Sequence, residues 1–212
     1  MVRLVFILIT LSTIAFGQSS IKKTPLTFNF ITDASFKQKT FKFYISSIKL
    51  NLKNGHVHEE KNQCYLIDQE LLKSQIIYLD NSDEIESIQF LIGTDSLVNV
   101  SGILDGDLDP VKGMYWAWNS GYINFKLEGD FTKGGNTYPI ELHIGGYNGI
   151  QATAQRMIIP LKSKLNDSLT INVEPTLLLN KLNINTQNSI MIPGVKAVEI
   201  SKLLPTIFSI SD

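Results

Sequence analysis

From Leu26 onward the chain alternates apolar and polar positions with a period of two, the pattern of strands that lay one face on a core and the other in water. Leu26 to Ile31 sets Phe28 and Phe30 on one side, and Phe41-Lys42-Phe43-Tyr44-Ile45 runs on into Ile48-Lys49-Leu50-Asn51-Leu52. That stretch predicts one long strand with a bulge around Ser46-Ser47. Asn54-Gly55 closes it, because both residues tolerate the positive φ of a two-residue hairpin turn. Further strands are expected at Gln63 to Ile67, Gln75 to Leu79, Glu84 to Ile92, Tyr122 to Phe131, Pro139 to Ile144, Gln151 to Leu161 and Leu169 to Val173. Turn signals such as Lys133-Gly134-Gly135-Asn136 and Asn166-Asp167 separate them. Helical signals are few: one turn over Gln69 to Lys73, a proline-opened helix over Pro175 to Leu182, and an amphipathic helix over Val195 to Leu204 with Ala197, Ile200 and Leu204 on one side. Short strands joined by polar turns predict a mainly β fold, an antiparallel β-sandwich with one or two short C-terminal helices. With no repeat or linker, a single domain over residues 20–212 is expected.

The first residues break this pattern. Met-Val-Arg precedes an apolar run from Leu4 to about Ala15, and Ala15-Phe16-Gly17 supplies small residues at both cleavage-defining positions. This is the form of a secretory signal peptide over residues 1–17. The run falls short of the ~20 residues that span a bilayer, and no later segment approaches that length. An exported protein, periplasmic or secreted and without a membrane span, is therefore expected. No cysteine follows the cleavage region, so lipid attachment through an N-terminal cysteine is excluded.

Composition narrows the function classes. The balance of 19 Lys and Arg against 20 Asp and Glu offers no electrostatic footprint for a nucleic acid. The lone thiol, Cys64, permits no intramolecular disulfide. It lies in an alternating, strand-like stretch, where a cysteine acts as a small buried hydrophobe. Gly-rich phosphate loops, nucleophile elbows and paired-histidine metal helices are missing from the sequence. Asp105-Gly106-Asp107-Leu108-Asp109 resembles the opening of a calcium loop, but Pro110 takes the place of the required glycine and Trp116 that of the bidentate glutamate. A turn is the expected role. His56-Val57-His58 places two imidazoles on one face of an exposed hairpin, a spacing that can chelate a transition metal. His143 shares a strand face with Glu141 and precedes Gly145-Gly146, so a hydrogen-bonded or ligating histidine is expected there. Asp107, Asp109, Glu141 and His143 form the one acid–base set worth inspecting, and no enzymatic activity is expected.

The densest anomaly is Gly113-Met114-Tyr115-Trp116-Ala117-Trp118-Asn119-Ser120-Gly121-Tyr122, which holds both tryptophans of the chain. Core packing explains one indole. Two indoles separated by one residue also suit a sugar-stacking platform, an aromatic-rimmed soft-metal site or a redox-active pair, and the residues alone leave these readings open.

The longer stretch from Asp107 to Gly129, with Asp109, Pro110, Gly113, Met114, Trp116, Trp118, Gly121 and Tyr122 as its most distinctive positions, resembles the signature of the MbnP-like family. Phe43-Tyr44-Ile45-Ser46, Ile92-Gly93 leading to Asn99, Leu142-His143-Ile144-Gly145-Gly146 and Ser189-Ile190-Met191 agree with it, so the resemblance covers nearly the whole mature chain. It implies an exported, mainly β protein whose partner is a di-haem protein related to cytochrome c peroxidases. That partner oxidises a tryptophan of its substrate to a kynurenine-type product, which in related proteins joins histidines in holding copper. The resemblance makes Trp116 or Trp118 the candidate for modification and His143 the matching histidine. It implies copper as the cofactor, with the oxidised tryptophan as a further donor; by its own chemistry the Met114 thioether adds to that set if the loop folds back, while burial as core filler is its expected role. His56 and His58 carry no role by resemblance. The rival expectation is a ligand-binding or adhesion module whose Trp/Tyr cluster contacts a carbohydrate or a peptide.

Overall fold

A computed structural model describes residues 22–61, 64–81, 84–119, 121–161 and 168–211. The expected leader, the Asn166-Asp167 turn, Gln63 at the start of an expected strand and Ser120 of the aromatic motif lie outside these residues. In chain order the elements are β1 (Lys22–Phe30), β2 (Phe36–Leu52), β3 (Val57–Glu59), β4 (Cys64–Asp68), β5 (Ile76–Asn81), β6 (Ile85–Ile92), α1 (Ser96–Val100), β7 (Tyr115–Trp116), β8 (Gly121–Lys133) and β9 (Asn136–Gly145). They continue with β10 (Gln155–Pro160), β11 (Leu169–Val173), α2 (Pro175–Lys181), α3 (Ile184–Gln187), β12 (Ser189–Ile190), α4 (Val195–Ser201) and β13 (Phe208–Ile210). The smaller sheet has the order β13-β11-β1-β5. The larger runs β10-β6-β2-β8-β9-β12, with β3 and β4 also paired to β2 and β7 to β8.

The expected mainly β, sandwich-like architecture is the one observed. Most pairings are antiparallel, while β1 with β11 and β9 with β12 run parallel. Neither parallel pair is joined by a short turn, so nothing local dictates its direction. The inner faces of the two sheets meet through phenylalanines: Phe28 of the smaller sheet lies 5.8 Å from Phe43 of the larger, and Phe208 lies 5.3 Å from Phe43. Each such fully buried side chain stabilises the fold by roughly 1.5–3 kcal/mol.

β2 shows how the pattern becomes structure. Phe41, Phe43 and Ile45 occupy odd positions, and Ile48, Leu50 and Leu52 even ones, yet all six lie in the same core. The register against β6 shifts between Ser46 and Lys49, and Ser47 takes a positive φ of 52°. One extra residue at this bulge keeps the apolar face inward after the change of parity.

Three expected boundaries move. Gln151 to Leu161 yields a strand only from Gln155, because Thr153 turns inward to donate from its N–H to the Gly146 carbonyl. The one-turn helix expected at Gln69 to Lys73 is a 3₁₀ turn at Leu72–Gln75, tightened by the Ser74 hydroxyl, which donates to the Leu71 carbonyl at 2.7 Å. α4 stops at Ser201, since Pro205 has no N–H to offer the Ser201 carbonyl, and Leu204 opens a 3₁₀ turn instead. Ala197, Ile200 and Leu204 are nonetheless all buried, as the amphipathic pattern required.

A second apolar cluster lies on the outer face of the larger sheet. Tyr44, Cys64, Leu66, Tyr122 and Ile123 come from the sheet, and Val98, Leu108, Met114 and Trp116 from the segment laid over it. Buried polar side chains pin that segment. The Thr94 N–H and hydroxyl donate to Asn124 Oδ1 at 2.9 and 3.1 Å, and Asn124 Nδ2 donates to Thr153 Oγ1 at 2.9 Å. Asn99 Nδ2 donates to Thr94 Oγ1 at 2.6 Å, while its Oδ1 accepts from the Tyr122 N–H at 3.0 Å. Gly93 is required beside this network, because its φ is +118° and a Cβ there would lie 2.7 Å from Asn124 Cγ. Removing Asn124 strands the Thr94 N–H in a buried site. Asn124→Ala is therefore expected to lower the unfolding free energy in a denaturant titration by ~2–3 kcal/mol. A loss within the ~0.5 kcal/mol of ordinary surface changes would contradict the role given to it.

Candidate functional site

The acidic run before the aromatic motif builds turns. Asp107 accepts from the Leu66 N–H at 3.1 Å through one carboxylate oxygen and from Lys112 Nζ at 2.6 Å through the other. Asp109 accepts from the Val111 N–H at 2.9 Å and caps a 3₁₀ turn that opens with Pro110 and ends at Gly113, whose φ is +73°. The chain then enters β7, where Tyr115 pairs with Tyr122 and Trp116 with Gly121. Met114 is fully buried in the outer cluster.

The two tryptophans separate sharply in environment. Trp116 is 6% exposed, and Trp118 two residues on is 65% exposed. Their ring centroids are 5.9 Å apart with planes tilted by 49°. The six-membered ring of Trp116 rests on Gly145, where a Cβ would come within 2.7 Å of Cζ3 and 2.5 Å of the Tyr122 carbonyl oxygen. Only glycine allows this approach. The remaining edge of Trp116 borders a small polar cleft of about 160 Å³ shared with Asn119, Tyr147, Asn148, Gln151 and Pro193.

His143 precedes Gly145 by two residues on the same face of β9, which separates their Cα atoms by about 7 Å. Its ring is largely buried, and Nε2 lies 2.7 Å from Glu128 Oε1. Lys126 Nζ is 3.4 Å from the same carboxylate oxygen. Burial pushes the imidazole below its ordinary value of 6.5, with Lys126 acting in the same direction, and these outweigh the upward pull of Glu128. For Glu128, burial alone would raise the carboxyl, but the His143 hydrogen bond and Lys126 together bring it below its usual range. Neutral His143 thus donates from Nε2 to the carboxylate. Its Nδ1 has no hydrogen-bond partner among the described residues.

The other candidates are dispersed. His56 precedes β3 on the exposed hairpin and His58 lies within it, far along β2 from the aromatic motif. Cys64 is buried in the outer cluster, where burial drives its thiol far above the ordinary range. Asp107, Asp109, Glu141 and His143 do not converge. The two aspartates hold turns, and Glu141 accepts from the Ser189 hydroxyl at 3.2 Å. No group of three or more His, Cys, Asp or Glu side chains is placed to hold a metal among the described residues. Glu128 lies in the stretch from Asp107 to Gly129; strand alternation sets it on the outward face with Lys126, and its meeting with His143 depends on the β8–β9 register. Thr94 and Thr153 carried no signal beyond ordinary polar residues.

A family model described as MbnP matches residues 11–192. The solved structure of MbnP from Methylosinus trichosporium superposes with a TM-score of 0.59 at 11% identity, covering 81% of this chain and 83% of that one. At that identity the likeness is one of fold. No curated protein matches the chain.

Because the folded state resists protonating His143, the unfolded chain binds more protons as the pH falls below about 6.5, so stability decreases through that window. A further loss comes below the ordinary Glu range as the lowered Glu128 carboxyl is protonated. Denaturant titrations from pH 8 to about pH 5 should show the first decrease in the wild type and a flatter profile in His143→Gln. Equal slopes in the two proteins would contradict a neutral, buried His143.

Proposed function

The chain belongs to the MbnP family, and on that footing we propose that it is an exported, non-enzymatic protein in which a di-haem partner related to cytochrome c peroxidases oxidises Trp116, the product then binding copper with His143. The observation that carries this reading is the seating of the Trp116 ring on Gly145, two residues along the same strand face from His143. Trp116 is also the indole that borders the cleft, which gives small oxidants and water a way in.

Unmodified, the side chains do not suit copper. An indole offers only an N–H donor, and one imidazole is too thin a set. Met114 is committed to packing in the outer cluster and takes no part. Oxidative opening of the Trp116 ring would create an aryl amine and a carbonyl over the strand face that also carries His143, and imidazole with amine is a donor set suited to copper. Glu128 on Nε2 would hold the imidazole orientation and tautomer, as carboxylates do behind metal-bound histidines. Copper bound there supplies a redox-active, borderline-soft centre; everything else in the proposal is done by Trp116, His143 and Glu128.

The carbohydrate- or peptide-contact reading needs two exposed, nearly parallel rings. One buried indole tilted by 49° from its neighbour supports it poorly. Peptide mapping of protein purified from its native host should find residue 116 altered, and unaltered Trp116 in cells that make the haem partner would overturn the proposal. In copper titrations, modified wild type should bind more tightly than modified His143→Ala; equal affinities would remove His143 from the site.

A further inference from the structure

Trp118 has no packing role to explain it. At 65% exposure it contributes little buried area, it does not border the cleft, and its ring nevertheless lies against Trp116. Trp116 has the reverse character: it is 6% exposed, with its ring against Gly145 and its backbone paired to Gly121, and it borders the cleft. A bulky oxidant can touch the first ring and not the second.

We propose that Trp118 is an electron-transfer contact through which a one-electron oxidant of haem-protein size oxidises Trp116. This rests on the reading of Trp116 as the modified residue. In the first step the oxidant gains one electron and the Trp118 indole becomes a radical cation. Exposure favours that loss at Trp118, since forming a cation away from water is costly. Trp116 then passes one electron across the ring contact and restores Trp118. Ring centroids 5.9 Å apart are within the range of direct aromatic contact. The Trp116 radical cation, poorly solvated where it sits, releases its indole N–H proton to water at the cleft. The net change is one electron to the oxidant, one proton to water and a neutral radical at Trp116, ready for oxygen to add.

The two fully buried tyrosines of the cluster do not drain this radical. Tyr122 lies 5.0 Å from Tyr115 and 5.9 Å from Tyr44, but oxidising a tyrosine requires its proton to leave. The Tyr44 hydroxyl donates to the Asp107 carbonyl oxygen at 3.1 Å and Tyr122 to the Gly102 carbonyl at 3.1 Å. Neither carbonyl is a base, and burial raises both phenols above their ordinary range. Oxidation is thereby kept from Tyr44 and Tyr122.

The test uses the full protein produced in cells without the haem partner, with photo-oxidised ruthenium tris(bipyridine) as the bulky oxidant and a cobalt(III) ammine as electron acceptor, in aerated buffer. Peptide mapping reads oxygen incorporation at each indole. Wild type should be modified mainly at residue 116. Trp118→Phe should slow that modification at least severalfold, Trp118→Tyr should restore part of it, and Trp116→Phe should leave the product at residue 118. The exposed position of Trp118 keeps the Trp118 variants folded, and thermal unfolding checks these and the buried Trp116→Phe alike. Modification of Trp116 at the wild-type rate in Trp118→Phe, or none at Trp116 in wild type, overturns the relay. Neither result touches the reading of Trp116 as the natively modified residue, which is decided on protein from the native host.

Discussion

Asn124 lies under the aromatic motif with both ends of its amide engaged, accepting from Thr94 and donating to Thr153. Everything on the outer face of the larger sheet depends on that arrangement. The segment from Gly93 to Asn119 buries Val98, Leu108, Met114 and Trp116 against that face, contacts that are non-directional and do not by themselves fix its register. Four buried polar residues, Thr94, Asn99, Asn124 and Thr153, supply what the apolar contacts lack, because a buried polar group without its partner costs more than a partnered one contributes. The same network joins the segment to β8 through the Tyr122 N–H and to the loop after β9 through the Gly146 carbonyl. Trp116 is thereby set against Gly145 by connections made on both sides of it.

β8 and β9 divide their labour by face. Phe125, Leu127, Leu142 and Ile144 look into the sandwich and hold the fold. Lys126, Glu128, His143 and Gly145 alternate with them and look outward, where the aromatic motif lies. Period-two geometry thus lets one pair of strands serve core and site independently. His143 belongs to that outward set: burial keeps the imidazole below its ordinary value, and Glu128 fixes which nitrogen carries its proton.

Much of this was legible in the amino-acid order. Alternation located most long strands, the Ser46-Ser47 bulge followed from an apolar pattern that breaks parity, and the run from Asp107 to Gly129 pointed to the family. The parts that could not be read are those created by register and long-range pairing. Glu128 and His143 are separated by the β8–β9 hairpin, and their diagonal meeting follows from a register that runs unbroken from the Lys133–Asn136 pair to Phe125–Ile144; the turn was legible, but the pairing it sets seven residues away was not. Trp116 and Trp118 are equivalent in sequence; their opposite exposures arise because β7 ends at Trp116 and the chain turns outward just after it. Asn99 and Asn124 looked like ordinary polar residues until the fold brought them together beneath the motif.

The claim on which the rest stands is that the outer segment is anchored as firmly as the strands beneath it. Native-state hydrogen exchange of the Thr94 and Tyr122 amides tests this most directly. Both should exchange only with global unfolding, at the rate of the central β8 amides. Exchange of either amide at the faster rate of an exposed loop would contradict the anchoring of Trp116 against Gly145.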